Sequence, residues 1–219
     1  MKCIASDEAI SWKEELKSDC FTAKKRRFAM TAQSNKELRM TELPRGLNRI
    51  LIPADTIEKR VQELAAQIDV DYAGIDSLYM VGILKGAFIF LADLVRHLNI
   101  PHTVDFMALS SYGKTTSSGA VRILMDLREP VENRHVLIVE DILDSGKTLS
   151  YLYHLLKERQ PASLKTCVLT LKQRATFTAE VPIDYLGFEI PDVWVVGYGL
   201  DFADKFRTLP YIAELSKSE

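Results

Sequence analysis

A chain of 219 residues, 47% hydrophobic and 26% charged, is of ordinary composition for a soluble globular protein and is long enough for one domain with a sizeable core. A formal charge of −2 and a pI near 6.1 argue against a broad nucleic-acid-binding surface. No apolar stretch reaches the length of a membrane span, no secretory segment opens the chain, and Cys3, Cys20 and Cys167 form no CxxC pair, which fits a reduced, cytoplasmic protein.

Residues 1–45 hold ten Lys or Arg against seven Asp or Glu, net +3, while the remainder, with 18 and 23, is −5. The seven acids speak against a mitochondrial transit peptide, and the basic run Lys24–Arg27 reads first as a solvated tail or helix end. We divide the chain into an extension, 1–45, of unassigned role and a domain, 46–219, because Pro44 and Gly46 punctuate Leu43–Arg49. Asp55 is placed to cap a helix with Glu58 as its capping-box partner, and Ile57, Val61, Leu64, Ala65 and Ile68 share one apolar face.

Leu78–Leu84 then predicts a strand, Lys85–Ala87 a turn, Phe88–Leu98 a helix and Val104–Leu109 another strand. Tyr112–Gly119, rich in Gly, Ser and Thr, reads as a mobile loop or a hairpin tip before a strand over Val121–Leu127. Further on we expect a buried strand at Val136–Val139, a helix over Leu149–Arg159, and strands at Lys165–Leu171, Tyr185–Ile190 and Val193–Leu200, the last two separated by Pro191 and Asp192. Strand following helix repeatedly implies a parallel sheet. His97, His102, His135 and His154 lack close metal-ligand spacing.

The run Val136–Thr148, VLIVEDILDSGKT, carries the most chemistry. A short apolar strand covered on both faces delivers Glu140 and Asp141 to its C-terminal end, the edge of an open α/β sheet where ligands bind. Asp144, Ser145, Gly146, Lys147 and Thr148 then lead into a helix whose first N–H groups and dipole suit a phosphate dianion. Although Gly146, Lys147 and Thr148 spell the end of a P-loop, the position where its first glycine would stand is Asp141. An acidic pair repels a triphosphate but can accept from a ribose diol or help to hold Mg²⁺. The combination points to a sugar phosphate.

This motif resembles the binding signature of the type I phosphoribosyltransferases, and most closely their hypoxanthine-guanine branch. LKGAF at Leu84–Phe88, SSYG at Ser110–Gly113, SSGAVRI at Ser117–Ile123 and GFEIPDVWVVGYGLDF at Gly187–Phe202 resemble that branch in the same order, so the similarity runs from about Leu47 to Leu209. The resemblance implies an α/β fold with a central, mostly parallel twisted sheet flanked by helices, a small hood subdomain and a flexible catalytic loop. It implies transfer of the 5-phosphoribosyl group from 5-phosphoribosyl 1-pyrophosphate to hypoxanthine or guanine, with Mg²⁺ as cofactor. Partners would be these small molecules alone, with no nucleic acid or membrane, in a homodimer or homotetramer.

The implied roles fall on particular residues. Glu140 and Asp141 would engage the ribose hydroxyls and, with Asp201, the metal, while Asp144, Ser145, Gly146, Lys147 and Thr148 would cradle the 5-phosphate. Asp144 is the candidate general base, and it also suits the cap of the next helix. Lys85, Gly86 and Arg207 would meet pyrophosphate, and the family often places a cis peptide at Lys85–Gly86. Ser111 and Tyr112 correspond to the loop that closes over the reacting centre. The base would fall to Lys172, Trp194 and Val195, although Trp194 alone suits a core aromatic equally well, and Val193 stands where a polar residue is common. A regulatory protein on the same fold and a pyrimidine-directed transferase are the alternatives; Lys172, Asp144 and the Ser111–Tyr112 pair favour the purine enzyme.

Overall fold

Six of the seven residues of Leu78–Leu84 are buried, as a strand covered on both faces requires, and this strand lies inside the larger of two sheets. The computed structural model describes residues 43–111, 121–173 and 181–216; from Arg45 onward these belong to one unit, Arg45–Glu219. Its elements are β1 (Leu47–Ile52), α1 (Ala54–Asp71), β2 (Leu78–Leu84), α2 (Phe88–His97), β3 (His102–Ser111) and β4 (Val121–Met125). They continue with β5 (His135–Leu143), α3 (Lys147–Glu158), β6 (Ser163–Gln173), β7 (Tyr185–Pro191), β8 (Val195–Val196) and β9 (Ile212–Leu215).

The larger sheet runs β4-β3-β2-β5-β6-β7, and all neighbours are parallel except β4, which pairs antiparallel with β3. From β2 the chain steps outward to β3, then returns to the other side of β2 as β5 and continues to β6 and β7. The carboxyl ends of β2 and β5 therefore flank the point where the winding reverses, the usual ligand crevice of such sheets. Alternating residues feed two cores. Leu78, Met80, Leu137 and Val139 pack with α1 and α2, whereas Tyr79, Val81, Val136 and Ile138 pack with Leu149, Leu152 and Leu156 of α3.

All five apolar positions expected on α1 are buried. Its cap differs from expectation: the helix starts at Ala54 behind Pro53, whose φ of −63° suits a helix entry, and Asp55 lies in the first turn with its Oδ1 accepting from the Thr56 amide at 2.9 Å. β5 continues beyond Val139 because its ladder with β6 runs to Leu143↔Leu171, so Glu140 and Asp141 are strand residues rather than the start of a loop. The expected strand Val193–Leu200 shrinks to Val195–Val196. Gly197, Tyr198 and Gly199 all have positive φ, 98°, 49° and 100°, and turn the chain.

β1 and β9, which sequence patterning did not single out, pair antiparallel with each other, and β9 also pairs with β8, forming a separate three-stranded hood. The Arg49 guanidinium donates to Glu214 across β1 and β9 at 2.9 Å. Of the loop pair, Ser111 is the last residue of β3, pairing with Val121, and Tyr112 lies outside the described residues.

Candidate active site

The winding reversal brings the Leu84–Gly86 turn beside the end of β5. A methyl group added at Gly86 would fall on the Asp141 carboxylate, so only glycine lets the turn approach the acid this closely. The cis peptide of this turn is Leu84–Lys85, one bond earlier than the Lys85–Gly86 position the resemblance implied. Gly199 closes the other side: a methyl there would fall on the Gly86 carbonyl oxygen. Asp141, Gly86 and Gly199 are thus stacked in close sequence from the sheet to the hood.

Arg207 completes this column. Its Nη1 donates to the Gly199 carbonyl at 2.7 Å, and its Nη2 lies 2.6 Å from Asp201 Oδ1. The other Asp201 oxygen accepts from the Asp204 amide at 2.7 Å. Lys85, largely exposed, reaches Asp204 at 3.3 Å. Two cations therefore border one side of the crevice, and both touch Asp204, a residue the sequence did not single out.

Glu140 and Asp141 are held where ionisation is costly. Burial, and then repulsion by Asp141, pushes the Glu140 carboxyl well above the ordinary range, and burial carries Asp141 up to about 6. Glu140 Oε2 is shielded from solvent and has no hydrogen-bond partner among the described residues. Thr170 Oγ1 on β6 donates to the Asp141 carbonyl at 2.8 Å, which fixes the backbone beneath the pair. Two adjacent buried carboxyls with unused acceptor capacity suit a diol or a hard cation.

Past the acids, the chain turns at Gly146, which has φ 76° and forms the N-cap of α3 without a side-chain cap; a helix N-terminus of this kind suits an anion. Lys147 and Thr148 belong to the first turn of α3, while Asp144 and Ser145 precede it. The run expected as a loop into a helix is therefore a short turn, Asp144–Gly146, with Lys147 and Thr148 already helical.

On the other side of Asp144 stands Lys172 of β6. Lys172 is 5% exposed, and its Nζ lies 3.7 Å from Asp144 Oδ2 and 3.8 Å from Asp192 Oδ1. The same ammonium is 5.4 Å from the centre of the Trp194 ring, a cation–π distance. Trp194 is 71% exposed, so the core role open to it in the sequence does not hold. Its ring is an open platform, and its carbonyl is held by the Leu215 amide at 2.8 Å. Val195 is buried in β8 beside it. In the sequence Asp192 is only a spacer between strands; the β7–β8 turn sets it beside Lys172. Among the described residues no group of three or more His, Cys, Asp or Glu is arranged to hold a metal ion by itself.

The phosphoribosyl transferase domain family matches residues 53–203. The hypoxanthine-guanine phosphoribosyltransferase of Dictyostelium discoideum is 49% identical over 172 residues, covering 77% of this chain and 95% of that one. That of Bacillus subtilis is 46% identical over 170 residues, with 77% and 93% covered. Among solved structures, the hypoxanthine phosphoribosyltransferase of Trypanosoma cruzi in complex with the product IMP superimposes with a TM-score of 0.74 at 43% identity, covering 80% of this chain and 98% of that one.

Proposed function

The chain belongs to the phosphoribosyl transferase family, in its hypoxanthine-guanine branch, and from that premise we propose that it transfers the 5-phosphoribosyl group of 5-phosphoribosyl 1-pyrophosphate to hypoxanthine or guanine in purine salvage. The observation that carries the choice of base is the buried Lys172 ammonium, set 3.7 Å from Asp144 and under the exposed Trp194 ring. An ammonium has donors only and suits the carbonyl at the six-position of an oxopurine, and an exposed indole offers a stacking face.

In the reaction the bond from the anomeric carbon to the pyrophosphate oxygen breaks, and pyrophosphate leaves with the electron pair. The imidazole nitrogen of the purine remote from the six-carbonyl bonds to that carbon, and the proton on the imidazole nitrogen beside the carbonyl passes to Asp144. The α3 N-terminus from Asp144 to Thr148 holds the 5-phosphate, while Glu140 and Asp141 accept from the ribose hydroxyls. Lys85, Arg207 and the Gly86 backbone line the pyrophosphate side, where their charge favours the leaving group. Ser111 and Tyr112 belong to the segment that would close over the centre and exclude water, which would otherwise take the sugar to hydrolysis.

Magnesium fits the residues present. It takes one or two carboxylates and completes its shell with substrate oxygens and water, and the unpartnered Glu140 Oε2 beside Asp141 offers such carboxylates. Asp201 would join them through the cluster it shares with Arg207. When bound, the ion supplies neutralisation of the pyrophosphate charge. We place the enzyme in the cytoplasm as a homodimer or homotetramer; among the described residues no helix is long and apolar enough to cross a membrane. Incubation with donor, Mg²⁺ and hypoxanthine should release pyrophosphate and form IMP, and EDTA should stop both. A protein that releases pyrophosphate only by hydrolysing the donor would contradict the transfer.

A further inference from the structure

Tyr198 sits between Gly197 and Gly199 with φ 49°, in the left-handed region that bulky side chains rarely adopt. Such an outlier persists where its surroundings over-determine it. The ring is 6% exposed, and its hydroxyl donates to Asp93 Oδ2 at 2.7 Å, while the other Asp93 oxygen meets Arg96 at 3.3 Å. Asp93 lies on α2, which starts directly after the Lys85–Ala87 turn. Tyr198 lies in the hood turn, whose next residue, Gly199, stacks on Gly86 and accepts from Arg207. This hydrogen bond therefore ties the two backbone segments that border the pyrophosphate side of the site, one carrying Lys85 and Gly86, the other fixing Arg207.

We propose that Tyr198 is a positioning residue for the pyrophosphate half of the donor: its hydroxyl, held by Asp93, sets the spacing between the Gly86 and Gly199 backbones and hence the aim of Arg207. The phenyl ring alone fills the core, so the hydroxyl is free to serve registration. On the purine side, Lys172 stands on β6, outside both of these segments. The inference rests on the assignment of Lys85, Gly86 and Arg207 to pyrophosphate.

The test compares wild type, Tyr198→Phe, Asp93→Ala and Asp93→Asn in steady-state kinetics and in calorimetric binding of inorganic pyrophosphate with Mg²⁺. Loss of the bond should raise the donor KM and the pyrophosphate Kd about ten-fold, the usual size for a lost bond to a charged group, with the purine KM within two-fold of wild type and any fall in kcat smaller than the rise in donor KM. Asp93→Ala should match Tyr198→Phe, and Asp93→Asn, which keeps an acceptor, should stay near wild type. If Tyr198→Phe does not fold, the two Asp93 variants carry the comparison. Equal changes in both KM values, or a lowered Tm with unchanged pyrophosphate affinity, would overturn the proposal. A wild-type protein that binds pyrophosphate but transfers nothing to a purine would instead sink the proposed function and leave the positioning role standing or falling on the calorimetry.

Discussion

Lys172 of β6 and Asp144 of the loop after β5 face each other at 3.7 Å, although 28 residues of chain separate them. The register Leu143↔Leu171 between β5 and β6 brings them together, since each stands one residue beyond that pair. A donor-only group and a carboxylate at this separation can meet two neighbouring atoms of one flat ligand: the carbonyl of a 6-oxopurine and the adjacent edge of its imidazole ring. Trp194 offers the face on which that ligand would lie.

Replacing Asp144 with Asn keeps shape and removes the proton acceptor. We expect kcat to fall by about 10²-fold or more while donor affinity stays within a few-fold, because the backbone cradle at the α3 N-terminus is untouched. Pre-steady-state product formation measures the chemical step directly, and an unchanged rate would remove Asp144 from the mechanism.

Truncating Lys172 to Ala should raise KM for the oxopurine and narrow its advantage over adenine. The variant also loses a buried cation flanked by Asp144 and Asp192, so part of the cost should appear in Tm. Unaltered relative efficiencies for the two bases would separate Lys172 from base choice.

The Glu140–Asp141 pair makes stability depend on pH. Both carboxyls have raised pKa values in the folded protein, Asp141 at about 6, whereas both ionise near pH 4 when unfolded. Their contribution is complete below about pH 4 and is lost as pH rises through about 6 and beyond, a cost on the order of 3 kcal/mol for Asp141 alone. Glu140→Gln should therefore raise the Tm of ligand-free protein at pH 8, with the gain shrinking towards pH 4.5. A lower Tm at pH 8 would show that the ionised pair is stabilised by contacts other than those described.

Deletion of residues 1–40 should leave kcat/KM within a few-fold of the full chain, since every proposed site residue lies beyond Pro44. Loss of folded protein on deletion would show that the extension contributes to the core or to assembly.

Legibility in the sequence followed locality. β2 has the bounds its apolar run predicted, and the apolar face of α1 is the one its spacing predicted, because both patterns are set by neighbours a few residues apart. The resemblance implies the hood, but its strands β1 and β9 carry no local signal, because Arg49 pairs with Glu214, 165 residues away, and no local period announces a strand whose partner is so distant. At the start of α1, Asp55 three residues before Glu58 imitates a capping box, whereas Pro53 fixes the helix entry. At the candidate site, Glu140, Asp141 and the phosphate-shaped loop stood out as one contiguous run. Asp192 and Asp204 did not, since each is an ordinary surface acid until folding sets it beside Lys172 or Lys85.

The central claim, a site built around an ammonium that needs a carbonyl, is tested most directly by kcat/KM for hypoxanthine, guanine, xanthine, adenine and uracil with donor and Mg²⁺ in one spectrophotometric assay. Leaving a buried donor unpaired can discriminate by roughly 10⁴-fold, more than shape alone supplies, so hypoxanthine or guanine should be used and adenine rejected on that scale. Adenine converted as efficiently as hypoxanthine would contradict both the role of Lys172 and the assignment to 6-oxopurines.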